Sequence, residues 1–455
     1  MTTVPVTGSE PPPPPGTGRV PRRVVVAATP LHGHVTPLLT VAADLVARGH
    51  HVTVLTGARF ADRATAIGAR FVPLPAEADY DDRAMAAGFP GFAELRPGLA
   101  MDAFYLRRVF TDAAPGQWRG LRALLDRHRA DAVVADMLFL GALPLVLGAG
   151  APGPRPRLIA LGVLPPMALS ADAPPYGSGR PPARGPRAHR THRAQGALVR
   201  SRLAAAQAHA ERVFAGLGAP LPGFLYDLTV TAPDVYFQLT VPEFEYPRGD
   251  LPASFRFAGP LPPATVAGFA PPDWWPRLAE GRPVVVVTQG TLANADLTDL
   301  VVPTLRGLAG RRPLVIAATG RPEGPAEVRR ALGGLPENAV VAAYVPFDRL
   351  LPHAAALVTN GGYGGTHAAL AHGVPLVVAG ATEDKPEVAA RVAWSGAGLD
   401  LRTARPGARA LRHAVERVLT DGRHRRAARR LRDAARRHDP HLAIAEALED
   451  SPDTS

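Results

Sequence analysis

Cysteine is absent from the 455-residue chain, which removes disulfides, thiolate nucleophiles and cysteine-ligated metal together and fits a cytoplasmic location. A long hydrophobic run is missing too. The most apolar stretch, 137–151, is too short to cross a bilayer and is broken by Gly141, Pro144 and Gly148, so no membrane span is expected. The start of the chain lacks the basic and apolar regions of a signal peptide, and residues 1–20, rich in Pro, Thr and Gly, read as a disordered tail. Aromatic residues make up only 6% of the chain, and none is interleaved with the densest basic run, 423–437, where arginines share a predicted helix with alanines. The net charge of +11 therefore reads as solvated helix surface, and no nucleic-acid partner is expected.

What is present is a long α/β pattern. The length exceeds what one hydrophobic core usually serves, so at least two domains are expected. Residues 22–29 form an apolar strand. A loop containing His32, Gly33 and His34 follows, then a helix from about Thr36 to Arg48, with Thr36 as N-cap and Pro37 in the first position, and a strand over 51–55. This β-α-β unit starts a parallel, Rossmann-like sheet, continued by strands at 70–74, 131–140 and 235–239. The Pro- and Arg-rich stretch 152–193 reads as a long loop or lid, and a helix is expected over 196–217. A second set of strands begins at 283–287, followed by a helix from about Asp296 and strands at 314–318, 339–342 and 357–359. In between, 76–118 loses periodicity while Tyr80, Phe89, Phe92, Met101, Phe104, Tyr105, Phe110 and Trp118 accumulate, by default as core beneath loops.

The stretch 344–392 dominates the second half. After the apolar run 354–358 come Asn360, Gly361, Gly362, Tyr363, Gly364, Gly365 and Thr366, then a helix-compatible run. Glycines allow close backbone approach, and the first turn of a helix offers unpaired N–H groups, so this loop is an anion cradle suited to a phosphate. Around it stand Tyr344-Val345-Pro346-Phe347, Leu350-Leu351, Gly373-Val374-Pro375 and Asp384-Lys385-Pro386.

In order and spacing this block resembles the donor-sugar signature of the nucleotide-diphosphate-sugar glycosyltransferases of family 1, the UDP-glycosyltransferase superfamily, in its bacterial natural-product form. The resemblance implies the GT-B fold: two Rossmann-like domains whose parallel sheets face each other across a cleft. Its boundaries would be an acceptor-binding domain at 21–245, a linker at 246–280, a donor-binding domain at 281–430, and a C-terminal helix and tail at 431–455. It implies inverting transfer of a hexose from a UDP- or TDP-sugar to a hydroxyl of a small lipophilic acceptor. No cofactor or metal is required beyond the nucleotide sugar as co-substrate.

The family pattern carries the dyad onto His34, within Gly33-His34-Val35-Thr36-Pro37, as general base, and onto Asp136, which would hold the imidazole tautomer. A loop histidine without a role and a strand-end carboxylate capping backbone remain the plain alternatives. His32 is then a neighbour rather than the base. On the donor side the resemblance assigns Gly290, Thr291, Tyr344, Val345, Asn360, Gly362, Gly364, Gly365, Thr366, Asp384 and Lys385. Tyr344 would stack on the base where the family usually has tryptophan, or else is an interior aromatic; Asp384 would meet sugar hydroxyls, or else is only a loop or capping residue. The chain departs from the pattern at Asn360 for histidine, Ala368 for a ribose-binding glutamate and Lys385 for glutamine. Lys385 would alter sugar choice or meet a phosphate, or else pair with Glu383 or Glu387.

Other readings stay open at this point. The departures allow a catalytically silent nucleotide-sugar-binding protein. An oxidoreductase would share the two Rossmann-like halves, but 29–34 lacks the Gly-x-Gly-x-x-Gly fingerprint. The Asp-x-Asp at Asp79 and Asp81 lies in irregular chain and is not expected to hold a metal. The assembly state stays open between monomer and homodimer.

Overall fold

A computed structural model describes residues 20–95, 98–149, 154–262, 268–290 and 294–449. The N-terminal stretch expected as a disordered tail lies almost wholly outside the described residues. Two all-parallel sheets carry the chain. The first runs in the order β3 (Arg70–Pro73), β2 (His51–Thr56), β1 (Arg23–Ala27), β4 (Ala132–Asp136), β5 (Arg157–Gly162), β6 (Val235–Gln238) and β7 (Phe255–Phe257). The second runs in the order β10 (Ala339–Ala342), β9 (Leu314–Ala318), β8 (Val284–Thr288), β11 (Ala354–Thr359), β12 (Leu376–Val378) and β13 (Gly398–Asp400).

Their valine-rich strands are apolar on both faces because both faces are covered. Within β8, Val284 and Val286 enter one core while Val285 and Val287 enter the core on the other side. Within β1, Val24 and Val26 likewise part from Val25 and Ala27. In each sheet the strand order reverses beside the first strand, between β1 and β4 and between β8 and β11. Parallel sheets bind ligands in the crevice at the carboxyl ends of such a pair of strands. His34 and Asp136 flank one crevice; Gly290 and the glycine loop flank the other.

The chain ties the halves together twice. Val241 and Phe244, just after β6, pack into the second half's core. Helix Pro440–Glu449 returns to the first half, burying Ile444, Ala447 and Leu448 there while Arg157 Nη1 donates to the Ala447 carbonyl at 3.0 Å. Between the halves lies a buried ion triad: Arg391 donates to Glu245 at 2.8 Å and to Glu387 at 2.9 Å. Gln238 donates to the Tyr363 hydroxyl at 2.8 Å, and Thr240 Oγ1 lies 2.6 Å from His367 Nε2. Burial pushes the His367 imidazole down to about 4; its Nδ1–H donates to the Tyr363 carbonyl and its Nε2 accepts from Thr240.

Several expectations are corrected. The first helix spans His32–Ala47 and starts four residues earlier than Thr36, because the N–H groups of His34 and Val35 both reach the Leu31 carbonyl. Pro37 lies inside the helix, where its missing N–H forfeits one early bond without ending it. His34 therefore sits in a helical first turn rather than on a loop. The stretch 152–193 is not one loop: Arg157–Gly162 is an interior strand, and a helix begins at Ala188. β7 lies within the stretch expected as a linker and pairs with β6. The helix expected from Asp296 begins at Val301, Asp296 instead capping a turn through its bonds to Thr298.

Candidate active site

On the first face, β4 delivers Asp136 and the helix after β1 delivers His34. His34 Nδ1 lies 2.8 Å from Asp136 Oδ1, and the pair is almost fully enclosed, at 8% and 2% exposure. The carboxylate is held by backbone: Oδ2 accepts from the Thr29 N–H at 2.6 Å and Oδ1 from the Leu138 N–H at 2.9 Å. An acceptor-only carboxylate fixes the proton on Nδ1 and leaves Nε2 as the ring's basic nitrogen. The adjacent His32 is different. Burial and the fields of Arg63 and Arg59 push its imidazole down to about 4, and its backbone N–H donates to Asp82 at 2.5 Å.

Beside His34 stands an aromatic wall, reached through Phe110 at 6.5 Å between ring centroids. Helix Leu99–Phe104 passes into a π-helical segment, Tyr105–Thr111, whose wider turn lets Tyr105 and Phe110 stack at 6.0 Å. Phe92, Phe104, Phe89 and Tyr80 extend the wall. Met101 is half-buried on the same helix, whereas Trp118 is ordinary core beneath β1. The Asp-x-Asp carboxylates are committed elsewhere: Asp79 accepts from the Ala58 N–H, and Asp81 is held down to about 2 by its bonds to Arg83.

On the second face, Gly361 (φ +92°) and Gly290 (φ +75°) turn the backbone where other residues would be strained. Helix Tyr363–Ala371 follows directly, with Gly362 at its N-cap and no side chain capping it. A Cβ added at Gly362, Gly364 or Gly365 would meet nothing within 4 Å, so these glycines border open space beside the helix's free N–H groups. Asn360 Nδ2 donates to the Gln289 carbonyl at 2.5 Å and thereby joins the two crossover loops. Tyr344 is 66% exposed, which rules out the interior-aromatic alternative. Val345 and Ala368 pack in the core instead, so Val345 offers a ligand no side-chain surface. The Thr366 hydroxyl is buried without a hydrogen-bond partner, and Thr291 lies outside the described residues.

The faces meet at 383–385. Asp384 occupies the N-cap position of helix Lys385–Trp394 but makes no capping bond, which removes the simple capping reading. Burial pushes its carboxyl up, and the field of His34 reaches both Asp384 and Glu383. Lys385 is buried and pairs with Glu383, the plain alternative among its expected partners; Glu387 is taken by Arg391 and the Gly179 N–H. Burial opposes the Lys385 ammonium, but Glu383 and Asp384 outweigh it and keep the group charged.

Sequence reasoning named Glu383 only as an alternative partner of Lys385 and not as a site residue. This glutamate is in the left-handed region, at φ +57°, a sparsely populated conformation for a non-glycine residue, accepts from Lys385, and its carboxylate acts on the Tyr105 phenol of the opposite wall. One compositional signal pointed here. Of 51 basic residues in the chain, Lys385 is the only lysine, so a compact ammonium stands at this turn where every other basic side chain of the protein is an arginine fork.

Residues 323–450 match the family model described as erythromycin biosynthesis protein CIII-like, C-terminal domain. Along nearly the whole chain the sequence is 41% identical to 4'-demethylrebeccamycin synthase of Lentzea aerocolonigenes, over 90% of this chain and 95% of that one. It is 36% identical to UDP-glycosyltransferase 2 of Phaeomoniella chlamydospora, over 94% and 95% of the two chains. Among solved structures, the glycotransferase of kitacinnamycin superposes with a TM-score of 0.71 at 24% identity, covering 95% of this chain and 99% of its own.

Proposed function

The chain belongs to the natural-product branch of the nucleotide-diphosphate-sugar glycosyltransferases with the GT-B fold and is a glycosyltransferase, and from that premise we propose an inverting hexose transfer from a UDP- or TDP-sugar to a small lipophilic acceptor. The observation that carries the reading is the enclosed His34–Asp136 pair, anchored by two backbone N–H groups and opening between the aromatic wall and the 383–385 turn. His34 Nε2 takes the proton of an acceptor hydroxyl while that oxygen attacks the anomeric carbon. The bond from that carbon to the diphosphate oxygen breaks, and its electron pair leaves with the diphosphate. Asp136 stabilises the imidazolium as it forms.

The N–H groups opening helix Tyr363–Ala371 meet the diphosphate charge, so the step needs no metal in this reading. Tyr344 stacks on the nucleobase, and Asp384 and Lys385 face the sugar. A UDP donor is supported by the name of the 36%-identical relative. No described helix is long and apolar enough to cross a membrane, and we assign the reaction to the cytoplasm.

The test is transfer followed by mass spectrometry, using UDP-glucose and TDP-glucose against phenolic and macrolide acceptors. Wild type should give product, and His34→Ala should lose about 10³-fold in rate with nucleotide affinity unchanged by calorimetry. A variant as active as wild type would remove His34 from the mechanism.

A further inference from the structure

We infer that Tyr80 positions the acceptor through its phenolic O–H, and that the acceptor is a planar aromatic molecule bearing a second oxygen on the ring system that carries the glycosylated hydroxyl. The inference rests on the reading of His34 as base and of the aromatic wall as the acceptor's seat.

The wall is continuous. Tyr80 meets Phe89 edge-on at 5.1 Å, Phe89 meets Phe104 at 6.4 Å, and Phe92 bridges Phe104 and Tyr105 at 6.1 and 6.0 Å. All five rings are half-buried, with edges and faces left for another ring to join in the offset or edge-on manner such pairs prefer. Two of these rings are phenols, and their hydroxyls differ. Burial and the Glu383 carboxylate together push the ionisation of the Tyr105 phenol up. The Tyr80 hydroxyl is buried and has no hydrogen-bond partner.

Its neighbours do not remedy this. Tyr80 lies in the fields of Asp136 and Asp82, but Asp136 is bonded to His34 and two backbone N–H groups, and Asp82 to the His32 N–H and Arg59. Burial, reinforced by these carboxylates, pushes the phenol's ionisation well upward, so the group is a donor and not a second base. A buried O–H without a partner is costly, and a bound molecule that supplies an oxygen recovers that cost. The chain itself brings this donor near the base, because Asp82, two residues on from Tyr80, accepts from the N–H of His32, two residues before His34, and the oxygen we place against it is therefore on the same ring system as the attacked hydroxyl. A ring carbonyl fits best, being an acceptor only.

The experiment compares two acceptors of one shape, 1-hydroxyanthraquinone and 1-hydroxyanthracene, with UDP-glucose, in wild type and Tyr80→Phe. Removing the hydroxyl should raise KM for the quinone about ten-fold while leaving KM for the anthracene and the affinity for UDP unchanged. An equal change for both acceptors, or none, overturns the role of Tyr80. Wild type that glycosylates other phenols or macrolides but neither of these compounds overturns the substrate class. No transfer to any acceptor, with no nucleotide binding, is instead the failure of the underlying reading. If Tyr80→Phe does not fold, wild-type binding decides: a preference of about ten-fold for the quinone supports the inference, and equal affinities overturn it.

Discussion

The two faces of the cleft are built on the same plan and finished to different degrees. On the first, Asp136 has bonds to His34, Thr29 and Leu138, and the pair is almost fully enclosed. On the second, the glycine loop borders open space, Tyr344 projects outward, and Glu383 stands at φ +57° paired with Lys385. In the proposed reaction the groups that move a proton are preorganised by backbone, which is worth most where charge develops. The groups proposed to recognise the donor are left for the ligand to complete.

Breaking the finished face should have the largest effect. Asp136→Asn puts an amide where two backbone N–H groups and His34 Nδ1–H now donate, so one amide NH₂ must face a donor and the imidazole loses its tautomer restraint. Single-turnover transfer is expected to fall about 10²- to 10³-fold, with UDP affinity retained. A variant within a few-fold of wild type would show that the pair is structural.

Closing the unfinished face comes next. Gly364→Val fills the open space beside the helix's first turn, and since Gly364 is not among the positive-φ residues, the backbone tolerates the change. Calorimetry should show UDP binding weakened about 10²-fold, with a thermal midpoint close to wild type because valine is no worse a helix former than glycine. Unaltered affinity would remove the diphosphate from this loop.

The smallest effect sharpens the comparison where the faces touch. Lys385→Gln removes the ammonium that holds Glu383 but keeps a hydrogen-bonding head. Relative kcat/KM across a panel of hexose donors should shift about five- to ten-fold, the scale of one hydrogen bond to a charged group. An unchanged preference would leave the lone lysine a purely structural partner of Glu383.

Much of this was legible in the chain. Valine runs announce buried parallel strands, and the glycine loop with its flanking pairs identifies the donor half, because both depend on local composition. The His34–Asp136 pair could be named from sequence pattern, but its anchoring by Thr29 and Leu138 could not, since those are backbone donors and leave no residue-type signature. Pro37 suggested too late a helix start because proline favours first positions without being confined to them. The strand Arg157–Gly162 was hidden by its proline-rich flanks. Glu383 and Tyr105 lie 278 positions apart, and only the packing of the two halves brings them together.

The most direct test of the single displacement at the centre of this account is the anomeric configuration of the product formed from an α-linked donor such as UDP-glucose, read from the proton coupling at the anomeric carbon by NMR. A β-linked glycoside is expected, inverted once by attack opposite the departing diphosphate. An α-linked product would contradict it, since retention requires a path that His34 acting as a simple base does not provide.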